Sequence, residues 1–168
     1  PLYAPSLGLK GSAPVFGLYA GLTLLGRLFG ARIPDRLGPS ATARAGLVTM
    51  AVGMAILGFW HTIPGLWTGT AVFAAGNAFM FPALLSLALD AAPEGERAAV
   101  VGTVVAFFDL GQGAGALVLG PLVAAAGYSA PFLAGAFAAA GGLALLSAHL
   151  RRGPAAAVAG GSLVTQAS

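Results

Sequence analysis

The sequence contains no cysteine among its 168 residues, and only 8% of its residues are Asp, Glu, Lys or Arg. Without cysteine, the chain can form neither a disulfide bond nor a thiolate metal site. A soluble domain has about 25% charged residues, so the charges here are too sparse for a water-exposed surface. The net charge of +3 is also too small to indicate nucleic-acid binding. These deficits favour a protein that lies in a lipid bilayer.

Apolar residues are abundant: they make up 58% of the chain, and the mean hydropathy is +0.89. No charged residue occurs between Arg44 and Asp90, or between Asp109 and Arg151. A membrane-spanning helix needs about 20 apolar residues, so each run is long enough for two spans. Turn residues at 61–65 and at 127–129 divide the two runs. We therefore predict an all-α membrane protein with about five spanning helices, at about 13–33, 42–60, 65–89, 98–124 and 130–150.

The two ends of the sequence are expected to lie outside this bundle. The sequence begins at Pro1 with no signal-peptide pattern, and we interpret it as part of a longer protein. Residues 1–12 would then be the external end of a preceding helix and its loop. Residues 151–168 are rich in Ala, Gly and Ser, a composition typical of disorder.

The distribution of basic residues predicts the orientation. Six arginines lie on one side of a five-span topology, and only Lys10 lies on the other; the six are Arg32, Arg36, Arg44, Arg97, Arg151 and Arg152. Cytoplasmic loops carry the excess of Lys and Arg. We therefore expect the six-arginine side, including the C-terminus, to be cytoplasmic.

Two charges are predicted to lie within the hydrocarbon. Charged groups inside a membrane are costly and often functional, which makes Arg27 and Asp109 candidates for coupling. Arg27 is about two turns from the cytoplasmic end, so it could instead extend to the headgroups. Asp109 lies near the middle of its helix, where the alternative is a structural hydrogen bond. Asn77 either lines a cavity or makes an interhelical hydrogen bond, and Pro82 should kink the same helix.

Other motifs carry less weight. Glycine pairs at four-residue spacing predict close helix approaches; they are Gly17/Gly21, Gly26/Gly30, Gly65/Gly69 and Gly111/Gly115. The stretch 111–116 imitates a dinucleotide-binding fingerprint, but it lies in an apolar span without a βαβ unit. No phosphate-binding loop, metal motif or nucleophile elbow occurs. We therefore expect no cofactor, no metal and no enzymatic activity.

Two stretches carry a family resemblance. Ala31-Arg32-Ile33-Pro34-Asp35-Arg36-Leu37-Gly38 resembles the cytoplasmic-loop signature Gly-x-Leu-Ala-Asp-Arg-x-Gly of the major facilitator superfamily. It departs from the signature at Ala31 and in the Pro-Ser pair that follows Gly38. Phe107-Phe108-Asp109-Leu110-Gly111 resembles helix eleven of the arabinose-efflux and drug-efflux branch. The resemblance covers about residues 1–150.

The resemblance implies a fold and a mechanism. The family has twelve helices in two halves, with the substrate bound between the halves near the midplane. This chain would supply helices eight to twelve of the C-terminal half, and the N-terminal half would be missing. The loop motif, Arg32, Asp35, Arg36 and Gly38, would act as a conformational latch. The third span is similar to the cavity-lining helix ten, which makes Asn77, Phe79 and Phe81 substrate-facing candidates.

These observations predict an efflux-type secondary transporter of a small organic solute, driven by protons, in a bacterial inner membrane. One rival class is an enzyme embedded in the membrane, which would require a convergent polar site that the sequence does not indicate. The other rival is a non-transporting scaffold or degenerate half-transporter, which the five-span count keeps open.

Overall fold

The computed structural model describes residues 3–30 and 37–164, with residues 30 and 152–164 described in their backbone alone. All regular structure in these residues is helical, which confirms the predicted all-α fold. The α-helices in this part of the chain are α1 Tyr3–Ser6, α2 Ala13–Gly30, α3 Pro39–Phe59, α4 Ile63–Asp90, α5 Arg97–Ala126 and α6 Ser129–Val164. A short 3₁₀ helix, Glu94–Glu96, precedes α5.

The helices have the length and composition of membrane spans. Within the described residues, four segments are long and apolar enough to cross a bilayer: Pro39–Phe59, Ile63–Asp90, Glu94–Ala126 and Ser129–Arg151. Ala13–Phe29 is a shorter apolar helix. The first predicted span, 13–33, extends into residues 31–33, which lie outside the described residues. The chain is therefore a multi-pass membrane protein.

The last helix is longer than the span predicted at 130–150. It continues to Val164, whereas the composition predicts a disordered tail over 151–168. Alanine is frequent in this segment, and it has the highest intrinsic helix propensity of all residues. That propensity is a physical reason for the helix to continue beyond the apolar span.

Residues at the helix ends account for the start of α3 and α4. Gly38 precedes α3 with a φ of 81°, in the left-handed region that favours glycine. Thr62 caps α4 by accepting a hydrogen bond from the backbone N–H of Gly65 at 3.2 Å. Pro64 occupies the first turn, where a missing N–H costs no helical hydrogen bond.

Helix α4 is the centre of the bundle. It packs most extensively against α3, then against α2, and only lightly against α5, while α6 packs mainly on α3. The α3–α4 contact depends on glycine: a Cβ added to Gly53 would lie 2.5 Å from the backbone N of Phe73. A Cβ added to Gly76 would lie 2.7 Å from the carbonyl oxygen of Gly46. These two helices approach so closely because the contact positions have no side chain.

A small apolar core closes the end of the bundle where α3 meets α4. Tyr3, Ala4, Leu57 and Leu66 are buried there. The Tyr3 hydroxyl donates a hydrogen bond to the backbone carbonyl of Leu57 at 3.1 Å. This bond attaches the single turn of α1 to the end of α3, although the two residues are far apart in sequence.

Candidate substrate and coupling sites

A polar contact joins α2 to α4 in the middle of apolar surroundings. Asn77 Nδ2 donates a hydrogen bond to the Tyr19 hydroxyl at 2.7 Å, and both side chains are partly buried. The Tyr19 ring stacks on Phe73, one turn before Asn77, with a centroid separation of 6.0 Å. Thr23 lies one turn after Tyr19 on α2, and its hydroxyl oxygen is buried without a hydrogen-bond partner among the described residues. This contact therefore contains hydrogen-bonding groups that could serve a solute or a water molecule.

The first cavity lies between the first half of α2 and the first half of α4, and Tyr19 forms part of its wall. Its volume is about 350 Å³. The lining is largely aromatic and aliphatic, and it consists of Tyr3, Ala4, Ser12, Val15, Phe16, Tyr19, Leu57, Leu66, Thr70, Phe73 and Phe132. Four of the lining residues carry hydroxyl groups and the rest are apolar, so the cavity suits an apolar or amphiphilic group.

The second cavity lies in the opposite half of the bundle, between the last turns of α4 and the first half of α5. Its volume is about 370 Å³, and it is lined by Phe81, Leu84, Thr103, Val104, Phe107 and Phe108. Phe81 meets Phe108 edge to face with a centroid separation of 5.0 Å, a preferred aromatic geometry. In the described part of the chain, neither cavity is lined by a charged side chain.

The three predicted substrate-facing residues have different surroundings. Asn77 makes an interhelical hydrogen bond, which was one of its two predicted roles. Phe81 lines the second cavity. Phe79 faces α2 instead, where a Cβ added to Gly26 would lie 3.6 Å from its ring and 2.8 Å from Ala78 Cβ. The structure thus separates the three side chains instead of bringing them into one site.

The two intramembrane charges lie on helices that do not form a substantial contact. Arg27 is exposed on α2 and Asp109 is exposed on α5. Both helices pack against α4. Arg27 and Asp109 therefore lie on two different helices that each pack against α4.

The predicted loop motif is described only at its end. Arg32, Asp35 and Arg36 lie outside the described residues. Gly38, the last residue of the motif, accepts hydrogen bonds through its carbonyl oxygen from Thr42 N at 3.1 Å and from Thr42 Oγ1 at 2.9 Å. With its positive φ, Gly38 therefore precedes the first residue of α3, Pro39, which follows the motif directly.

A polar contact near the α3–α4 turn was missed by sequence reasoning. His61 Nε2 is hydrogen-bonded to Ser129 Oγ at the start of α6. The Tyr3 ring approaches His61 edge to face at 6.5 Å. The predicted topology places the α3–α4 turn and the α5–α6 turn on the same side of the membrane. That shared side was the only sequence signal for the contact.

The described sites combine apolar surfaces with a few polar groups. Among the described residues, no three His, Cys, Asp or Glu side chains are grouped so as to hold a metal ion. The features present are apolar cavities with hydroxyl and amide groups, and the carboxylate of Asp109 in the interior of a spanning helix. Apolar cavities with a few polar groups are typical of small-molecule sites.

Comparison with known proteins agrees with this chemistry. A family model described as Major Facilitator Superfamily matches residues 3–165. An uncharacterized MFS-type transporter of Salmonella typhimurium is 30% identical over 126 residues, which cover 75% of this chain and 32% of that protein. The matched region thus spans about a third of the length of this curated relative. No solved structure matches the chain.

Proposed function

Because this chain belongs to the Major Facilitator Superfamily, we propose that it is part of an efflux-type secondary transporter of a small organic solute, coupled to protons. The family match over residues 3–165 carries the proposal. Members of a transporter family move solutes rather than transform them, so the proposal includes no catalytic step. The rest of the transporter, including an N-terminal half, would lie outside this sequence.

The apolar cavities support an organic solute as the cargo. A volume of about 350 Å³, as in the first cavity, is at the small end of the range for ligand pockets, about 300–1,000 Å³. Tyr19 and Thr70 would offer hydroxyl groups, and the aromatic rings would contact the apolar part of the solute. Phe81 in the second cavity would contribute an aromatic contact in the other half of α4.

Asp109 supports proton coupling. It is a carboxylate in the interior of an apolar helix of 30 residues. A charge at that depth is costly unless it serves a function or has a partner. A carboxyl group near the midplane can take up a proton from one side and release it to the other, while the two halves of the transporter rock about the substrate site.

The orientation and the loop motif complete the proposal. The positive-inside rule supports a C-terminus in the cytoplasm, and the bacterial relative supports a bacterial inner-membrane location. The loop with Arg32, Asp35 and Arg36 would then face the cytoplasm and stabilise one of the two transport states. The carboxylate of Asp35 would do so near the positive N-terminal end of a helix in the other half.

A transport assay on the full-length protein tests the proposal. Proteoliposomes with an imposed pH gradient would be screened with labelled sugars, drugs and amphiphilic metabolites, and protein-free liposomes would serve as the control. Solute movement that follows the pH gradient and stops with a protonophore is the expected result. The alternative is a non-transporting scaffold, since the matched region spans only about a third of its relative. No movement of any solute by a stable, correctly inserted protein would favour the scaffold.

A further inference from the structure

Two tyrosines line the first cavity, and their hydroxyl groups make hydrogen bonds of opposite direction. The Tyr3 hydroxyl donates its hydrogen to the backbone carbonyl of Leu57 at 3.1 Å. The Tyr19 hydroxyl instead accepts a hydrogen bond from Asn77 Nδ2 at 2.7 Å. A tyrosine hydroxyl has a single hydrogen to donate. In the described part of the chain, Tyr3 has therefore committed its hydrogen, whereas Tyr19 keeps its own hydrogen for another acceptor.

The position of Tyr19 places its hydroxyl at the inner end of the first cavity. Tyr19 and Phe73 are the last lining residues along α2 and α4, and their rings stack with 6.0 Å between the centroids. Asn77 follows Phe73 by one turn, close to the middle of the 28-residue α4. The stacked ring and the Asn77 amide together fix the hydroxyl oxygen. A hydroxyl that already accepts a hydrogen bond also becomes a stronger donor.

A second hydroxyl with unused hydrogen-bonding capacity lies close to Tyr19 in the sequence. Thr23 follows Tyr19 by four residues, so the two side chains share one side of α2. The Thr23 hydroxyl oxygen is buried and has no hydrogen-bond partner among the described residues. A buried polar group without a partner is destabilising. A molecule with hydrogen-bonding atoms at the inner end of the cavity would therefore complete the polar contacts that the described residues leave open.

The remainder of the cavity wall disfavours a charged occupant. In the described part of the chain, no charged side chain lines the first cavity. An ionic group that entered these surroundings would lose its water without gaining a counter-charge, which is strongly unfavourable. An uncharged oxygen needs only one donor, and the Tyr19 hydroxyl can supply it. The aromatic and aliphatic wall suits an apolar body around that oxygen.

We propose that Tyr19 determines which solutes the first cavity accepts, because its hydroxyl donates a hydrogen bond to an uncharged oxygen of an otherwise apolar solute. The acceptor would be a carbonyl, ether or hydroxyl oxygen. This inference rests on the proposed function, since it takes the first cavity as a solute site of the transporter. It adds the chemical class of the solute and the residue that recognises it, with Asn77 as the residue that positions the Tyr19 hydroxyl.

Binding of matched tetralins to the purified full-length protein in detergent tests the proposal. Ser12→Cys, in a background without other cysteines, places a thiol on the cavity wall, and protection of that thiol from a maleimide reports occupancy. β-Tetralone adds a carbonyl oxygen to the apolar body of tetralin, and β-aminotetralin adds a cationic ammonium group. We expect β-tetralone to protect at a concentration about fivefold lower than tetralin, as for one net hydrogen bond. The cationic β-aminotetralin should not protect.

Two tyrosine variants separate the donor role of Tyr19 from a general effect on the cavity. Tyr19→Phe should abolish the preference for β-tetralone over tetralin, while protection by tetralin persists and shows that the cavity is intact. Tyr3→Phe is the matched comparison, because the Tyr3 hydrogen is already donated to Leu57; the preference for β-tetralone should remain. If Tyr19→Phe does not accumulate, Asn77→Leu, which frees the Tyr19 hydroxyl from its fixed position, should reduce the preference.

Several results would overturn the proposal. They are a preference for β-tetralone that persists in Tyr19→Phe, or in Asn77→Leu where that variant takes its place, equal protection by tetralin and β-tetralone before any tyrosine is changed, protection by β-aminotetralin, and no protection by any of the three compounds. Failure of the proposed function is measured separately, by solute movement in proteoliposomes. A protein that prefers β-tetralone through Tyr19 and moves no solute would contradict the transporter and leave the recognition by Tyr19 in place.

Discussion

Asn77 on α4 donates a hydrogen bond to the Tyr19 hydroxyl on α2 at 2.7 Å, although 58 residues separate the two positions. It is the polar connection between α2 and the central helix of the bundle in the described residues, and Tyr19 also forms part of the wall of the first cavity. The same pair therefore connects helix packing to the shape of a candidate substrate site.

Removal of this hydrogen bond should destabilise the protein moderately. Tyr19→Phe deletes the hydroxyl and leaves the Asn77 amide without its partner, so we expect a loss of about 1 kcal/mol in the free energy of unfolding, as for other interhelical hydrogen bonds in membranes. Equilibrium unfolding of the purified full-length protein in detergent would measure this loss of free energy. Asn77→Leu and the double variant complete a double-mutant cycle. Strictly additive effects would show that the two side chains do not interact.

Gly53 should be far less tolerant of a methyl group than Gly142. A Cβ at Gly53 would lie 2.5 Å from the backbone N of Phe73, whereas a Cβ at Gly142 would lie 3.8 Å from Leu47 Cδ2, an ordinary contact. We expect Gly53→Ala to cost about 1–3 kcal/mol, because it separates α3 from α4. Gly142→Ala should be close to neutral. The midpoint of thermal unfolding of the two variants measures the difference, and equal midpoints would contradict the close α3–α4 packing.

The basic-residue asymmetry predicts which turns face the cytoplasm. Ser40→Cys and Gly95→Cys, next to the arginine-rich side, should resist a membrane-impermeant thiol reagent in intact cells. Gly11→Cys, in the turn between α1 and α2, should react and serves as the control. All three require a background without other cysteines. Labelling at position 40 or 95 from outside the cell would reverse the predicted topology.

Asp109→Asn separates the roles of the intramembrane carboxylate. The substitution keeps the shape and removes the titrating group. If Asp109 carries the proton, transport driven by a pH gradient should fall to background while substrate binding persists. If it only holds a buried cation, the protein should lose abundance instead, because the cation would be left unpaired. Normal abundance together with a full response to the pH gradient would contradict both roles. Asp109 would then be a hydrogen-bonding residue in helix packing.

Asp35→Asn addresses the loop motif. If the Asp35 carboxylate stabilises one of two transport states, its removal should shift their populations. The transport rate should then change more than the amount of protein in the membrane. Asp35→Glu, which keeps the charge, should retain more of the original rate than Asp35→Asn. An unchanged rate in Asp35→Asn would indicate that the departures at Ala31 and Pro39 have already disabled the latch.

The sequence predicted the α3, α4 and α5 helices to within a few residues, but it predicted only part of the glycine contacts. Among the four-residue pairs, a Cβ at Gly26 would lie 2.8 Å from Ala78 Cβ and one at Gly69 would lie 2.7 Å from Leu57 Cγ, whereas a Cβ at any position of Gly17/Gly21 or Gly111/Gly115 would meet nothing within 4 Å. The tight α3–α4 contact also includes Gly46 and Gly53, seven residues apart, opposite Gly69 and Gly76. Spacing along one helix shows which glycines share a side, but it does not show which side meets a neighbouring helix.

The sequence by itself determined the membrane character, the order of the helices and the location of Asp109 within a spanning segment. Hydropathy fixes these features because every backbone polar group in a bilayer must be satisfied within its own helix. Only the tertiary structure decided that Asn77 pairs with Tyr19 and that Phe81 and Phe79 face different neighbours. These facts depend on the rotation of each helix about its axis and on contacts between residues distant in the chain. Local composition encodes neither.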